Sequence, residues 1–223
     1  MTRLGSQGPV RPLRNSHRAL TGKLSLQDGG HAGFESSLER DWFIVLDFDP
    51  AVIRLQEQPF RLSHMVDGKS RSYTPDVLAE YSQDDLLWTV VYEVKHQQQL
   101  RSDWDQLCPR YRAAMRHCRQ QGWRFKIVTE KHIRTPYLEN AKFLRRYRTM
   151  AMEQLRIAQL RYTASALGPT TPQALIAAAH WPRQEQAMSL ATVWHMLAAG
   201  DLRADLHKKL TMSSPIWLPE VTR

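Results

Sequence analysis

The stretch "YTPDVLAEYSQDDLLWTVVYEVK", residues 73–95, constrains the fold of this chain more than any other. Two runs rich in β-branched and aromatic residues, 73–81 and 86–95, flank the polar turn "SQDD" and predict a pair of antiparallel strands. Charged residues stand at the outer ends of both. Alternation along the second strand puts Glu93 and Lys95 on one face, with Val94 in the opposite layer. Antiparallel pairing through the turn brings Asp76 to the end where Glu93 lies. Two carboxylates that close raise one another's pKa unless a cation neutralises them, and oxygen-only ligands with space for water suit Mg²⁺ or Mn²⁺. A lysine beside metal-bound water can position or activate it for in-line attack on a phosphodiester. An acid-x-Lys triplet alone arises by chance about once per hundred-odd residues. The weight therefore rests on context: Pro-Asp in one strand, Glu-x-Lys 17 residues later in the next, and a helix after it. An exposed hairpin with ordinary charges is the competing reading.

The remaining pattern supplies the elements around that hairpin. Phe34, Leu38, Trp42, Val45 and Leu46 recur at helical spacing and predict a helix ending near Asp49-Pro50. "VIRLQEQPF" alternates as a strand stopped by Pro59, and "VDGKS" is a turn centred on Asp67-Gly68. Residues 97–122 predict a helix with Leu100, Trp104, Leu107, Tyr111 and Met115 on one face, interrupted at Pro109 and closed by Gly122. "WRFKIVTE" is a further β-run, and residues 136–161 predict one long helix. The order is αβββαβα. Residues 1–30, rich in Arg, Gly, Ser and Pro with little periodicity, suggest a basic flexible arm, and the linker composition of "TASALGPTTP" suggests a boundary between a main domain at 31–162 and a small domain at 163–223. In the last, helices followed by a short hairpin suggest a winged-helix type, with Ser189 as N-cap and Gly200 ending the helix.

Charge is polarised. The net charge is +9, yet residues 31–100 carry −6 and residues 101–150 carry +9. An acidic block followed by a basic one fits carboxylates beside a cationic surface that handles a polyanion, although solvated arginine faces give the same count. No apolar run approaches the ~18 residues that span a bilayer, and the first residues lack a secretory h-region, so a cytoplasmic protein without membrane partners is expected. Cys108 and Cys118 have neither zinc-ligand spacing nor disulfide density. Glu35 and Glu39 lie one turn apart on the first predicted helix, where either could reach the sheet edge, and spacing alone favours a pair of solvated acids. Asp84 and Asp85 belong to the turn, and His96 points away from the acids. Neither a Ser-His-Asp arrangement nor a phosphate-binding glycine loop occurs.

Pro-Asp and Glu-x-Lys on an αβββαβ core resemble the restriction-endonuclease-like, PD-(D/E)xK nuclease superfamily. A narrower resemblance, to the TnsA endonuclease subunit of heteromeric transposases, rests on "SSLERDWFIVLDFDPAVIRLQEQPF", "YTPDVLAEY" and "YEVK". The resemblance implies an α/β nuclease core with a small helical, winged-helix-type C-terminal domain. It assigns Glu39 as the helix acid, Asp76 as central metal ligand, Glu93 as second ligand and Lys95 as catalytic lysine, with Val94 in the metal set. It implies Mg²⁺-dependent cleavage of the 5′ strands of double-stranded DNA at transposon ends, a DDE-type transposase partner and an AAA+ regulatory ATPase. A stand-alone restriction or repair nuclease and a non-catalytic DNA-binding adaptor are the alternatives. "SLATVWHMLAAG" carries no basic residue, so the C-terminal domain is expected to offer an apolar surface to a protein more than to DNA.

Overall fold

Residues 20–180 and 182–220 are described by the structure, a computed structural model. Gly22–Ser25 (β1) pairs antiparallel with His31–Phe34 (β2). Part of the expected arm is thus a hairpin, and Phe34 ends a strand instead of opening the helix. Its turn closes on Gly29 at φ 82°, and Leu26 is buried; residues 1–19 lie outside the described residues. The first helix, Ser37–Phe48 (α1), starts three residues later because Ser36 caps it, its side chain accepting from the Glu39 N–H.

The order then runs Val52–Glu57 (β3), Leu62–Val66 (β4), Lys69–Tyr73 (β5), Val77–Gln83 (β6), Leu86–Val94 (β7), Gln97–Ser102 (α2), Trp104–Gln120 (α3), Arg124–Val128 (β8) and Glu130–Ile133 (α4). Strands β3-β6-β7-β8 form one mixed sheet in that order, with β8 parallel to β7 and the other neighbours antiparallel. Strand β4 pairs with β5 in a separate two-stranded ribbon. The expected strand 73–81 is therefore two: Tyr73 ends β5, and Pro75, which cannot donate to a ladder, stands between it and β6. The β6–β7 turn is Asp84-Asp85 with φ 48° and 63°, the left-handed pair that a tight hairpin requires and that aspartate tolerates.

Helices cover both faces of the sheet. On one, Leu107, Tyr111 and Ala114 of α3 pack with Tyr73, Phe125 and Ile127, while Cys118 packs with Leu78 and Val91. On the other, Trp42 of α1 sets its ring edge-on to Tyr92, 5.0 Å between centroids. Burying each such side chain stabilises the fold by ~1.5–3 kcal/mol. Pro109 does not break α3; the interruption falls at Asp103 between α2 and α3. A proline in the second turn of a helix forgoes one i−4 bond, and here the buried face across it outweighs that loss.

The chain divides into two compact units between Arg134 and Thr135. The second contains Pro136–Arg148 (α5), Gln154–Leu167 (α6), Pro172–Ala179 (α7), Arg183–Ala199 (α8), Arg203–Ala204 (β9) and Ile216–Trp217 (β10). The expected helix 136–161 is split into α5 and α6, and both pack against α8. The linker-like stretch 163–172 lies inside this unit: α6 runs through it to Gly168, at φ 69°, and Ala164 is buried. Ser189 is not a cap. It is buried within α8, which begins six residues earlier at Arg183, whereas Gly200 ends the helix in the left-handed conformation at φ 86°. Val193, Trp194, Met196 and Leu197 are buried, so the apolar residues of "SLATVWHMLAAG" form this unit's interior and not a displayed surface. No helix among the described residues is long and apolar enough to cross a membrane.

Asn140, on α5, is 4% exposed and spans the loop between β9 and β10. Its Nδ2 donates to the carbonyls of Leu206 (2.8 Å) and Lys208 (2.7 Å), and its Oδ1 accepts from the Leu210 N–H (3.1 Å). Asn140→Ala leaves all three main-chain groups without this partner, so denaturant unfolding should show a loss of about 2–4 kcal/mol; a loss below about 0.5 kcal/mol would mean that the loop holds itself.

Candidate active site

Val77 pairs with Tyr92, so the residue before the one meets the residue after the other: Asp76 lies across from Glu93. Two hydrogen bonds continue the pairing past the strand end. The Asp76 N–H donates to the Tyr92 carbonyl (3.2 Å), and the Val94 N–H donates to Asp76 Oδ2 (2.7 Å). Strand β7 keeps its line beyond Val94, because the Lys95 N–H donates to the Val128 carbonyl of β8 at 3.0 Å. From β3, the Gln58 N–H donates to the Asp76 carbonyl at 2.8 Å. Gln58 is buried and sits at φ 44°, a left-handed conformation that a non-glycine residue keeps only where its surroundings enforce it. Neighbouring strands on both sides thus fix the main chain of Asp76.

Glu93 is 2% exposed, and a buried carboxylate needs compensating donors. Tyr73 O–H donates to its Oε2 at 2.6 Å; Tyr111 O–H (3.1 Å) and Arg110 Nη2 (3.2 Å) donate to Oε1, and Lys95 Nζ stands 3.7 Å from Oε1. The Arg110 guanidinium lies over the Tyr73 and Tyr111 rings, 5.3 and 5.0 Å from their centroids. Burial and the adjacent Glu93 charge push the Tyr73 hydroxyl well above its usual range, as they do that of Tyr111, so both remain protonated donors. Their presence at the site was not foreseen. Tyr111 was legible only as one of the apolar positions of α3, and Tyr73 only as the start of a strand.

Asp76 is partly exposed, and among the described residues only the Val94 N–H bonds its carboxylate. Burial pushes its carboxyl well above the usual range, and the Glu93 and Glu39 charges push it further, against Lys95 and the Val94 N–H. Glu39 is raised as well, first by burial. The Glu35 N–H (2.8 Å) and Ser36 Oγ (2.9 Å) bond to its carboxylate and oppose the shift, as does Lys95. Lys95 therefore acts on all three acids. Glu35 precedes the cap instead of sharing the helix with Glu39, and its Oε1 accepts from Gln58 Nε2 at 3.4 Å. His96 is exposed, with Nδ1 3.5 Å from Glu130 Oε2.

Among the described residues, no three His, Cys, Asp or Glu side chains are gathered into a ready-made metal cage. The donors at the sheet edge are oxygens, and repulsion among Asp76, Glu93 and Glu39 is the condition that a divalent cation relieves. Mg²⁺ commonly takes one or two carboxylates and keeps several waters, so this donor set fits it without a full protein cage. Val94 contributes its N–H to Asp76 and buries its side chain.

Residues 49–130 match the family model described as TnsA-like endonuclease N terminal. The resemblance read from the sequence is borne out over that segment, which contains Asp76, Glu93, Val94 and Lys95 and stops short of Glu39. No curated protein matches the chain.

Because the folded state raises the Asp76 pKa, folding favours its protonated form, and ionising it as pH rises above the usual carboxylate range costs stability. Asp76→Asn keeps an oxygen for the Val94 N–H and removes the charge. Thermal unfolding in chelator at neutral pH should show a higher Tm for this variant than for wild type, by a margin that closes as pH falls through that range. A lower Tm at neutral pH would contradict the assigned repulsion.

Proposed function

With a TnsA-like endonuclease domain at residues 49–130 as premise, we propose that the chain is a Mg²⁺-dependent DNA endonuclease that serves a heteromeric transposase by cutting 5′ strands at transposon ends. The observation that carries this reading is the meeting of Asp76, Glu93 and Lys95 at one sheet edge, with Asp76 raised by burial and by the Glu93 and Glu39 charges, and Glu39 raised first by burial. Asp76, Glu39, Glu93 and the Val94 main chain would hold Mg²⁺, or Mn²⁺ in its place; the cation supplies Lewis-acid stabilisation of the phosphate and a more acidic bound water. The protein residues do the rest. Glu93, clamped by Tyr73, Tyr111 and Arg110, holds Lys95 Nζ at the edge, where the ammonium orients the attacking water and balances charge on the phosphate oxygens. Water oxygen bonds to phosphorus and releases a proton to solvent as the bond to the leaving sugar oxygen breaks, and that oxygen takes up a proton from solvent.

The partners in this reading are double-stranded DNA, a DDE-type transposase that cuts the other strands and an AAA+ regulatory ATPase, in the bacterial cytoplasm at the nucleoid. The β9–β10 ladder after α8 supports a winged-helix type for the second unit. Genes for a transposase and an ATPase beside this one would favour the reading, whereas a methyltransferase gene would favour a restriction nuclease.

The test combines the chain with its neighbouring gene products on a transposon-end duplex and maps strand cuts with Mg²⁺ or chelator. Wild type should cut the 5′ strands only with Mg²⁺, and Asp76→Ala should reduce those cuts at least ~10³-fold. Lys95→Ala should lower kcat ~10²–10⁴-fold and leave cation affinity within about threefold. Undiminished cutting by Asp76→Ala, or cutting in chelator, would overturn the assignment.

A further inference from the structure

The β4–β5 ribbon lies outside the four-stranded sheet, and the mechanism above uses only its last residue, Tyr73. A lone two-stranded hairpin is marginal in water, so a retained one needs an anchor. This ribbon has one at its base, where Leu62 and Tyr73 are paired and pack against Leu107 and Tyr111 of α3. Beyond the base, Lys69, Ser70, Arg71 and Ser72 are four successive exposed residues on β5, which among the described residues pairs with no strand but β4. Across the ladder, exposed Ser63 is opposite Ser72. Residues 61–73 hold Arg61, Lys69 and Arg71 against the single acid Asp67 at the tip, and none of the three basic side chains has an ion pair among the described residues. An edge strand of hydroxyls and unpaired cations repels other strands and attracts a polyanion.

Position adds to composition. Arg71 precedes Asp76 by five residues, at most ~17 Å of extended chain, so a phosphate held at Arg71 is within about one helical turn of DNA from a phosphate at Asp76. The last residue of the ribbon, Tyr73, is also the 2.6 Å donor to Glu93. Duplex DNA presents phosphates to Lys, Arg and Ser side chains, and its ~12 Å major groove admits a two-stranded ribbon.

We propose that the β4–β5 ribbon grips duplex DNA beside the scissile phosphate, with Lys69 and Arg71 on backbone phosphates and the serine hydroxyls along the groove wall. This deepens the nuclease reading, since it takes the edge of Asp76, Glu93 and Lys95 as the place where the strand is cut. The ribbon grips, and Tyr73 ties it to the carboxylate that holds Lys95.

The test is binding of a fluorescein-labelled duplex by the full chain in chelator, followed by anisotropy across a salt series. Each lost phosphate contact should reduce the slope of log affinity against log salt by ~0.9, so Lys69→Ala/Arg71→Ala should lower it by ~1.8. The comparison pair, Arg112→Ala/Arg116→Ala, removes two exposed arginines from α3, away from its packed face, and should change the slope by less than ~0.5. All four side chains are exposed, so circular dichroism should be unchanged. Failure of wild type to bind duplex, an unaltered slope in the ribbon variant, or an equal loss in the α3 variant would overturn the proposal. Binding in chelator needs no cleavage. A ribbon effect that persists while Asp76→Ala still cuts would retain the ribbon and dismiss the assigned catalytic edge.

Discussion

The pairing of Val77 with Tyr92 is the constraint on which the rest of the candidate site depends. A slip of one residue would carry Glu93 and Lys95 to the α1 face and send Tyr92 toward α3. The two-residue turn at Asp84-Asp85 sets the register at one end, and the bond from the Val94 N–H to Asp76 Oδ2 completes it at the other. With that register, Glu93 emerges under α3, where Tyr111 and Arg110 are available as donors, and Tyr73 closes the same carboxylate from the ribbon side. The tight sheet edge is the cause, and the clustering of charge is its consequence.

Much of this was legible because it follows from alternation and turn chemistry. Period two in "VLAEY" and "LLWTVVYEV" specifies which residues share a face, and a turn of aspartates between them specifies the pairing. Glu39 was ambiguous for a physical reason: helical spacing places Glu35 beside it, and only the cap at Ser36 shows that Glu35 stands outside the helix. The cage around Glu93 was hidden for a different reason. Tyr73, Arg110 and Tyr111 are scattered over the chain, and a tyrosine on a helix's apolar face looks like packing until its hydroxyl is seen to have a buried acceptor. Ser189 misled because "SLATVWHML" resembles a helix start, while burial of Ser189, Thr192 and Val193 together lets α8 continue through it.

The same polar cluster that would serve chemistry gathers like charge at one edge of the sheet. Glu93 is compensated on both oxygens, whereas Asp76 meets a single donor among the described residues, together with the charges of Glu93 and Glu39. Such an imbalance is one that a divalent cation would relieve. Gln58, held at φ 44° with its N–H on the Asp76 carbonyl, is a second instance of local strain spent on the same residue.

The central claim, that this edge of the sheet is built for a divalent cation, is tested most directly by anomalous diffraction from crystals of the protein soaked in Mn²⁺. One strong anomalous peak is expected about 2.1–2.2 Å from a carboxylate oxygen of Asp76, absent from Asp76→Asn crystals. A fully soaked crystal with no peak at Asp76, or with its peak elsewhere on the chain, would contradict it.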